Sequence, residues 1–467
     1  QQGLSTGELL VIAAINRCSA PCSKSKLNKW FENDWISTQF EINPSYLDAQ
    51  TYWNHFQHLN EAIINNLEIA INKAILLQFD LKLEHLLFDP TNFFTFSKSE
   101  DSNSLLQFGH SKEHRNGNKL VSYSLLCARD SGVPIMHETY PGNVQDAKAF
   151  KQVPIKIQDR LTQLGYTPAQ ITLVFDKGNH SKEAFQAIDE SNFGFIVSAR
   201  NSSYKKLLQL PDSKYTEIVL PISGKSVSYY KCSRKIYGKI RDLYVVLDPN
   251  KRKKHTFQLE EKLSSKLIEI EEYFQNRLNV KKWRDIDAVR TKLASLIGKN
   301  PFKSIIEFEV QGNYAQLSYH LSINENAKQK YIKTLGKSIL FTNRKNWDAR
   351  SIIWGYREQY IVEHAFKYMK SPSSIAVRPM YHHTNRSIRS HVFICVLGLI
   401  LLSLLRYRLS QHSITLSYGE LLEELDSIRL MAIELTSKGN PLWKLEKREK
   451  MAAKLCKTLK LKSLVPR

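Results

Sequence analysis

Cysteine is scarce in this chain, six in 467 residues, and only Cys18 and Cys22 stand close together. No second Cys or His pair lies near them at zinc-finger spacing, so reduced thiols in the cytoplasm are expected rather than a disulfide framework or a structural zinc. Long apolar runs are also missing. The strongest, Val392 to Leu405, falls short of the ~20 residues that span a bilayer and reads as a buried core helix. No charged-then-apolar segment opens the sequence, and no signal peptide is expected. There is no G-x-x-x-x-G-K-[ST] run, which argues against ATP hydrolysis, and no Ser-His-Asp arrangement stands out. Internal repeats and low-complexity tracts are absent.

Acidic residues are in short supply against basic ones. The 67 Lys and Arg outnumber the 45 Asp and Glu, leaving a formal charge of +22. Such an excess favours a polyanionic partner, and its spread along the whole length suits a surface that follows nucleic acid. A membrane surface or a heparin-like polymer would satisfy the same charge. The apolar fraction is that of a globular protein, and the length allows two or three domains.

Apolar residues at three and four spacing make residues 1–78 a helical domain, with Arg17 and Lys24 on a basic edge around Pro21. Strands are expected at Leu83 to Phe88, Lys119 to Ala128 and Pro134 to Tyr140, the last two joined by an Asp130-Ser131-Gly132 turn. Helix Asp146 to Leu164, strand Ile171 to Phe175, helix Ser181 to Ser191 and strand Phe193 to Ser198 follow. Three antiparallel strands, then parallel ones reached through helices, is the order of an α/β fold with an RNase H-like mixed sheet, here its first part at 79–199. Residues 200–336 read as a basic, strand-rich insertion. Between Asn201 and Asn300 there are 22 Lys and Arg against 11 Asp and Glu, half of the chain's excess in about a fifth of its length. Its densest runs hold Arg252 and Lys253, then Lys282, Trp283 and Arg284, where the indole would stack on an unpaired base; a solvated loop is the plain alternative. Residues 337–409 return to the core, 410–463 form a helical tail, and 464–467 look like a tag remnant.

Two aspartates end strands, Asp89 after Leu87-Phe88 and Asp176 after Val174-Phe175. A later amphipathic helix, Gly355 to Lys370, carries Tyr356, Glu363 and Lys370 at sevenfold spacing, nearly two turns, with Gln359 and Lys367 four residues either side of Glu363. Each feature has an innocent reading, a turn for either aspartate and a solvated Glu/Lys face for the helix. Together, three carboxylates converging on one point are what a hard divalent ion needs to meet a phosphodiester.

The spacing Tyr356, Gln359, Glu363, Lys370 resembles the signature helix of bacterial insertion-sequence transposases of the DDE type, which have Arg where this chain has Gln359. The resemblance extends to Leu87-Phe88-Asp89-Pro90-Thr91, Gly109 to Arg115, Pro141 to Asp146, Val174 to Asn179, Arg378 to His382 and Arg386 to His391. It implies a metal-binding catalytic triad of Asp89, Asp176 and Glu363 with two Mg2+ or Mn2+ ions, cutting transposon ends and joining them to target DNA. It further implies DNA contacts from Tyr356, Arg357, Lys367, Lys370, Lys177 and Arg378 beside Arg17 and Lys24, with His110, Asn143 and Gln359 orienting the carboxylates. A homodimer on double-stranded terminal-repeat DNA, no membrane partner, and a nucleoid-associated bacterial protein complete the expectation. An RNase H-like nuclease that cuts without joining, or a protein that binds DNA without cutting, are the rival readings.

Overall fold

The computed structural model describes residues 3–97, 104–113, 117–221, 224–433, 442–446 and 450–465. The chain forms two compact units, one of residues 1–195 with 357–467 and one of residues 196–356. The expected motif residues His114 and Arg115 and the tag residues Pro466 and Arg467 lie outside the described residues.

In the first unit, α1 (Thr6–Ser19) starts at a capping box in which Ser5 and Glu8 bond reciprocally. Helices α2 (Leu27–Glu32), α3 (Ala49–Phe56) and α4 (Glu61–Phe79) follow. They do not close a core by themselves, because Leu9, Phe31 and Phe56 share one apolar cluster with Phe393 and Ile394 from near the C-terminal end of the unit. Strand β1 (His85–Thr95) is longer than expected and runs through Asp89. β2 (Gln107–Phe108) and β3 (Lys119–Ala128) come next, then β4 (Pro134–Pro141). β3 lies antiparallel to β1 along Leu86 to Thr95, and β4 lies antiparallel to β3. The helix expected at Asp146 to Leu164 is two, α5 (Asp146–Ala149) and α6 (Val153–Gln163). Pro154, which cannot donate a backbone N–H, sits in the first turn of α6, where the chain restarts. β5 (Thr172–Phe175) is parallel to β1, α7 (Lys182–Glu190) follows, and Gly194 at the start of β6 (Gly194–Ser198) donates to Ile171. Antiparallel β4-β3-β1 with β5 parallel to β1 is the RNase H-like arrangement.

The second unit takes up β6 and adds α8 (Lys205–Leu208), β7 (Thr216–Val219), β8 (Ser226–Ile236) and β9 (Lys239–Leu247). Helices α9 (Pro249–Gln275), α10 (Ile286–Ile297) and α11 (Phe302–Ile305) lead to the hairpin β10 (Ile306–Asn313) and β11 (Gln316–Ile323), and α12 (Glu325–Ile332) closes it. β12 (Lys337–Thr342) then pairs with both β6 and β9, so these strands stand in the order β6-β12-β9-β8-β7. Its helical part has its own core around Leu263, Phe274, Trp283 and Leu293. The unit ends with α13 (Ala349–Arg357).

The chain re-enters the first unit at α14 (Tyr360–Lys370), followed by α15 (Asn385–Ser410). α15 contains the apolar run and buries most of it, as the sequence led one to expect. Gly398 lets α1 approach closely, since a Cβ there would stand 3.2 Å from the Ala14 carbonyl oxygen. α16 (Tyr418–Asp426), the hairpin β13 (Leu430–Ile433) and β14 (Leu442–Leu445), and α17 (Lys450–Thr458) finish the unit. The tail is therefore not all helix. After α16 ends at Asp426 the chain pairs as β13 with β14, and residues 434–441 lie outside the described residues.

Candidate active site

The parallel ladder between β1 and β5 ends with Leu87 opposite Val174. Asp89 and Asp176 each lie two residues further on, so the register carries them to the same level of neighbouring strands and, by the period of two, to the same face. On the other face, Phe150 holds both strands from behind, its ring 4.9 Å from Phe88 and 4.8 Å from Phe175. Each phenylalanine immediately precedes its aspartate. Asp176 leads into a single tight turn, Lys177–Asn179, that its side chain does not cap, so the turn does not account for the carboxylate. Pro90, with no N–H to give, follows Asp89 where β5 has ended.

Helix α14 packs on this same face. Phe366 meets Tyr123 edge-on at 5.2 Å, and Tyr123 pairs across the ladder with Thr91. Val362, Ala365, Phe366 and Met369 are buried, while Glu363 is exposed. The helix expected to run unbroken from Gly355 to Lys370 is interrupted at Glu358-Gln359. Glu358 lies 3.5 Å from Arg129, and Gln359 is buried at 5% exposure, so tertiary contacts fix the break where no Pro or Gly signals it. Tyr356 therefore lies on α13, in the other unit, while Glu363, Lys367 and Lys370 lie on α14.

The carboxylates interact. Burial pushes the Asp89 carboxyl up to about 7, Lys112 opposes this, and Glu363, Asp176 and Asp146 add to the rise. Lys112 donates to the Pro90 carbonyl at 2.6 Å and pairs with Asp146 at 2.9 Å. The donors are all hard carboxylate oxygens with excess negative charge, a set whose chemistry fits a divalent cation such as Mg2+ or Mn2+. Among the described residues, no three His, Cys, Asp or Glu side chains are yet arranged around one ion position. Lys112 and Asp146 were quoted within motifs but not singled out by sequence. Their signal was only a cation and an acid in the two connecting segments, and those segments meet because glycine allows it. A Cβ on Gly142 would collide with the Leu120 carbonyl, and one on Gly109 with the Gly142 carbonyl.

Two expected phosphate contacts are held internally. Lys370 donates to Thr91 at 2.7 Å and lies 3.5 Å from Glu113, which also pairs with Arg378 at 2.5 Å. Lys367 and Lys177 are exposed and Arg357 half-exposed. His110 and Asn143 are exposed, and His110 contributes its backbone carbonyl to Asn92. Asn92 also accepts from the Lys112 N–H at 3.1 Å, so it ties the segment from His110 to Lys112 to β1 three residues beyond Asp89.

In the second unit, Arg252 is half-buried and donates to Asp212 and to the Leu335 carbonyl. Trp283 is in the core, edge-on to Tyr273 and Phe274 at 5.8 Å each, and is not available to stack on a base. Lys253, Lys282 and Arg284 remain exposed, with the Lys282 ammonium 4.7 Å from the Trp283 ring centre. Arg17 and Lys24 line a cavity of the first unit.

A family model described as "Transposase DDE domain" matches residues 80–401. No curated protein matches the chain in sequence. Solved structures that resemble it include a piggyBac transposase synaptic complex with hairpin DNA, at 10% identity over 90% of this chain and 69% of that one, with a TM-score of 0.37. A Mos1 transposase paired-end complex with the left transposon end resembles it at 14% identity over 44% of this chain and 61% of that one, with a TM-score of 0.18.

Proposed function

We propose, for a chain that belongs to the DDE transposase domain family, that Asp89, Asp176 and Glu363 form the centre at which this DNA transposase hydrolyses the phosphodiester at a transposon end and joins the freed 3′-hydroxyl to target DNA. The observation that carries this reading is the register that sets the two aspartates side by side beneath the helix bearing Glu363. Two divalent ions, Mg2+ or Mn2+, would be held by these carboxylates and would supply Lewis-acid activation of water and neutralisation of the leaving oxygen. Asp89 holds a proton near neutral pH because it is buried, with Glu363, Asp176 and Asp146 adding to the rise, and would give it up beside added positive charge. Lys112 keeps Asp146 turned beside the site and fixes the Pro90 backbone. Glu363 stands on the exposed side of α14 and adds to the charge that Asp89 feels. Cutting two ends together requires at least two chains on the DNA, so a dimer is part of the proposal.

Glu363→Gln tests it. Metal-dependent cleavage of DNA carrying the terminal repeats should fall by ~10³-fold or more while binding changes little; cleavage at the wild-type rate would remove Glu363 from the centre. Supplying a pre-cut 3′-hydroxyl end separates transposase from nuclease, since only the former joins it. A wild-type chain that binds ends yet never cuts them would favour the binding-only reading, which Gln359 in place of Arg keeps open.

A further inference from the structure

Helix α9 turns one side to the core of its unit, burying Leu259, Leu263, Ile270 and Phe274 at spacings of four and seven. The opposite side is exposed. Phe257 and Ile268, 62% and 53% exposed, lie eleven residues apart, which is close to three full turns and puts both large apolar side chains on one line. Glu261 and Ser264 stand between them on the same line, and Lys253 with Lys254 and Glu271 with Glu272 lie one turn beyond at either end, all exposed. The stripe is therefore basic at its N-terminal end and acidic at its C-terminal end.

These charges find no use within the helix. Three and four residues from Lys253 and Lys254 there is no acid, and from Glu271 and Glu272 no base. Charges off the stripe do pair, Lys266 with Glu269 at 2.6 Å and Glu260 with Lys328 at 3.8 Å, whereas among the described residues the four at its ends form no ion pair.

The surface that fits this stripe is the stripe itself. Laid antiparallel so that Phe257 lies opposite the partner's Ile268, the register sets Lys253 opposite the partner's Glu272, Lys254 opposite the partner's Glu271 and Glu261 opposite the partner's Ser264. A two-fold axis repeats each pairing. Every position then meets its complement: ammonium meets carboxylate, apolar meets apolar, and a hydroxyl donates to a carboxylate. A slip of one turn sets Phe257 opposite Glu272 or Ser264 and loses the match, and a parallel pair sets lysine on lysine.

We propose that α9 is a self-association surface through which two copies of this chain pair antiparallel about a two-fold axis. The pairing deepens the reading in which two chains act together on DNA, and its role there rests on that reading; the complementarity of the stripe does not. Glu261 and Ser264 occupy the middle of the seam where a permanent coiled coil has apolar residues, so the contact is small and reversible.

The test is sedimentation equilibrium of the full chain without DNA or divalent ion. At ~50 mM salt the wild type should exchange between monomer and dimer at ~10–100 μM, and ~0.5 M salt should weaken the dimer by screening its charge pairs. Lys253→Glu with Lys254→Glu, and separately Glu271→Lys with Glu272→Lys, should each weaken self-association at least ~10-fold, because each sets like charges opposite one another. An equal mixture of these two double variants should recover the dimer, and the chain carrying all four substitutions should self-associate as the wild type does. A misfolded variant cannot produce that recovery. A wild type that stays monomeric up to ~100 μM, a dimer that either double variant leaves intact, or a mixture that fails to recover overturns the proposal. Because neither DNA nor cleavage is read, failure here and failure of the Glu363→Gln test are separate results.

Discussion

Asp89 concentrates the site's electrostatics in one side chain. Its carboxyl is pushed up to about 7 by burial first, and by Glu363, Asp176 and Asp146 against the opposing Lys112. An acid whose folded pKa exceeds its unfolded value binds the proton more tightly in the fold, so its contribution is full at low pH and is lost as pH rises toward the folded pKa. Asp89→Asn should therefore melt a few degrees above wild type at pH 8 and at the same temperature near pH 4, by scanning calorimetry. Millimolar Mg2+ should raise the melting temperature of wild type at pH 8 and leave that of the variant unchanged. Sequence marked both aspartates as candidates because each follows an apolar run, although β1 continues through Asp89. It could not supply Lys112 or Asp146, since what makes them neighbours is the contact of two glycine-containing segments far apart in the chain.

At the scale of elements, three pieces of the first unit are tied through one buried acid. Glu68 on α4 accepts from His137 Nδ1 on β4 at 2.6 Å and from Arg160 on α6 at 2.8 Å, and Arg160 also donates to the Ile135 carbonyl. Burial would raise the Glu68 carboxyl, but His137 and Arg160 hold it below the usual range. Glu68→Ala leaves Arg160 buried and unpaired, and should cost ~3–5 kcal/mol in urea unfolding. None of this was legible from a helical pattern that marked Glu68 only as a polar position. The broken signature helix has the same cause. Its periodicity runs without interruption through Glu358-Gln359, where the structure has the Arg129 pairing and the burial of Gln359. A strand with strong apolar character, β3, fell on the residues expected, because burial on both faces leaves little freedom in where it begins.

Over the whole molecule, charge and packing separate residues that look alike in sequence. The formal charge of +22 predicts DNA binding that weakens steeply with salt. Lys282 and Arg284 are exposed, so Lys282→Glu with Arg284→Glu should shallow the log K against log[salt] slope by about two. Arg252, bound to Asp212 and the Leu335 carbonyl, belongs to the other class, and its replacement by Ala should lower stability with little change in slope. By itself the sequence determined the α/β order of the core, the excess of positive charge, the triad candidates and the burial of the Val392 to Leu405 run, since periodicity, composition and strand-end position are local properties. Tertiary structure alone decided which cations face solvent, that Trp283 is core, that Lys370 and Arg378 share Glu113, and that Lys24 lines a cavity with Arg17. Those outcomes depend on which residues far apart in the chain become neighbours, and only the packed fold sets that.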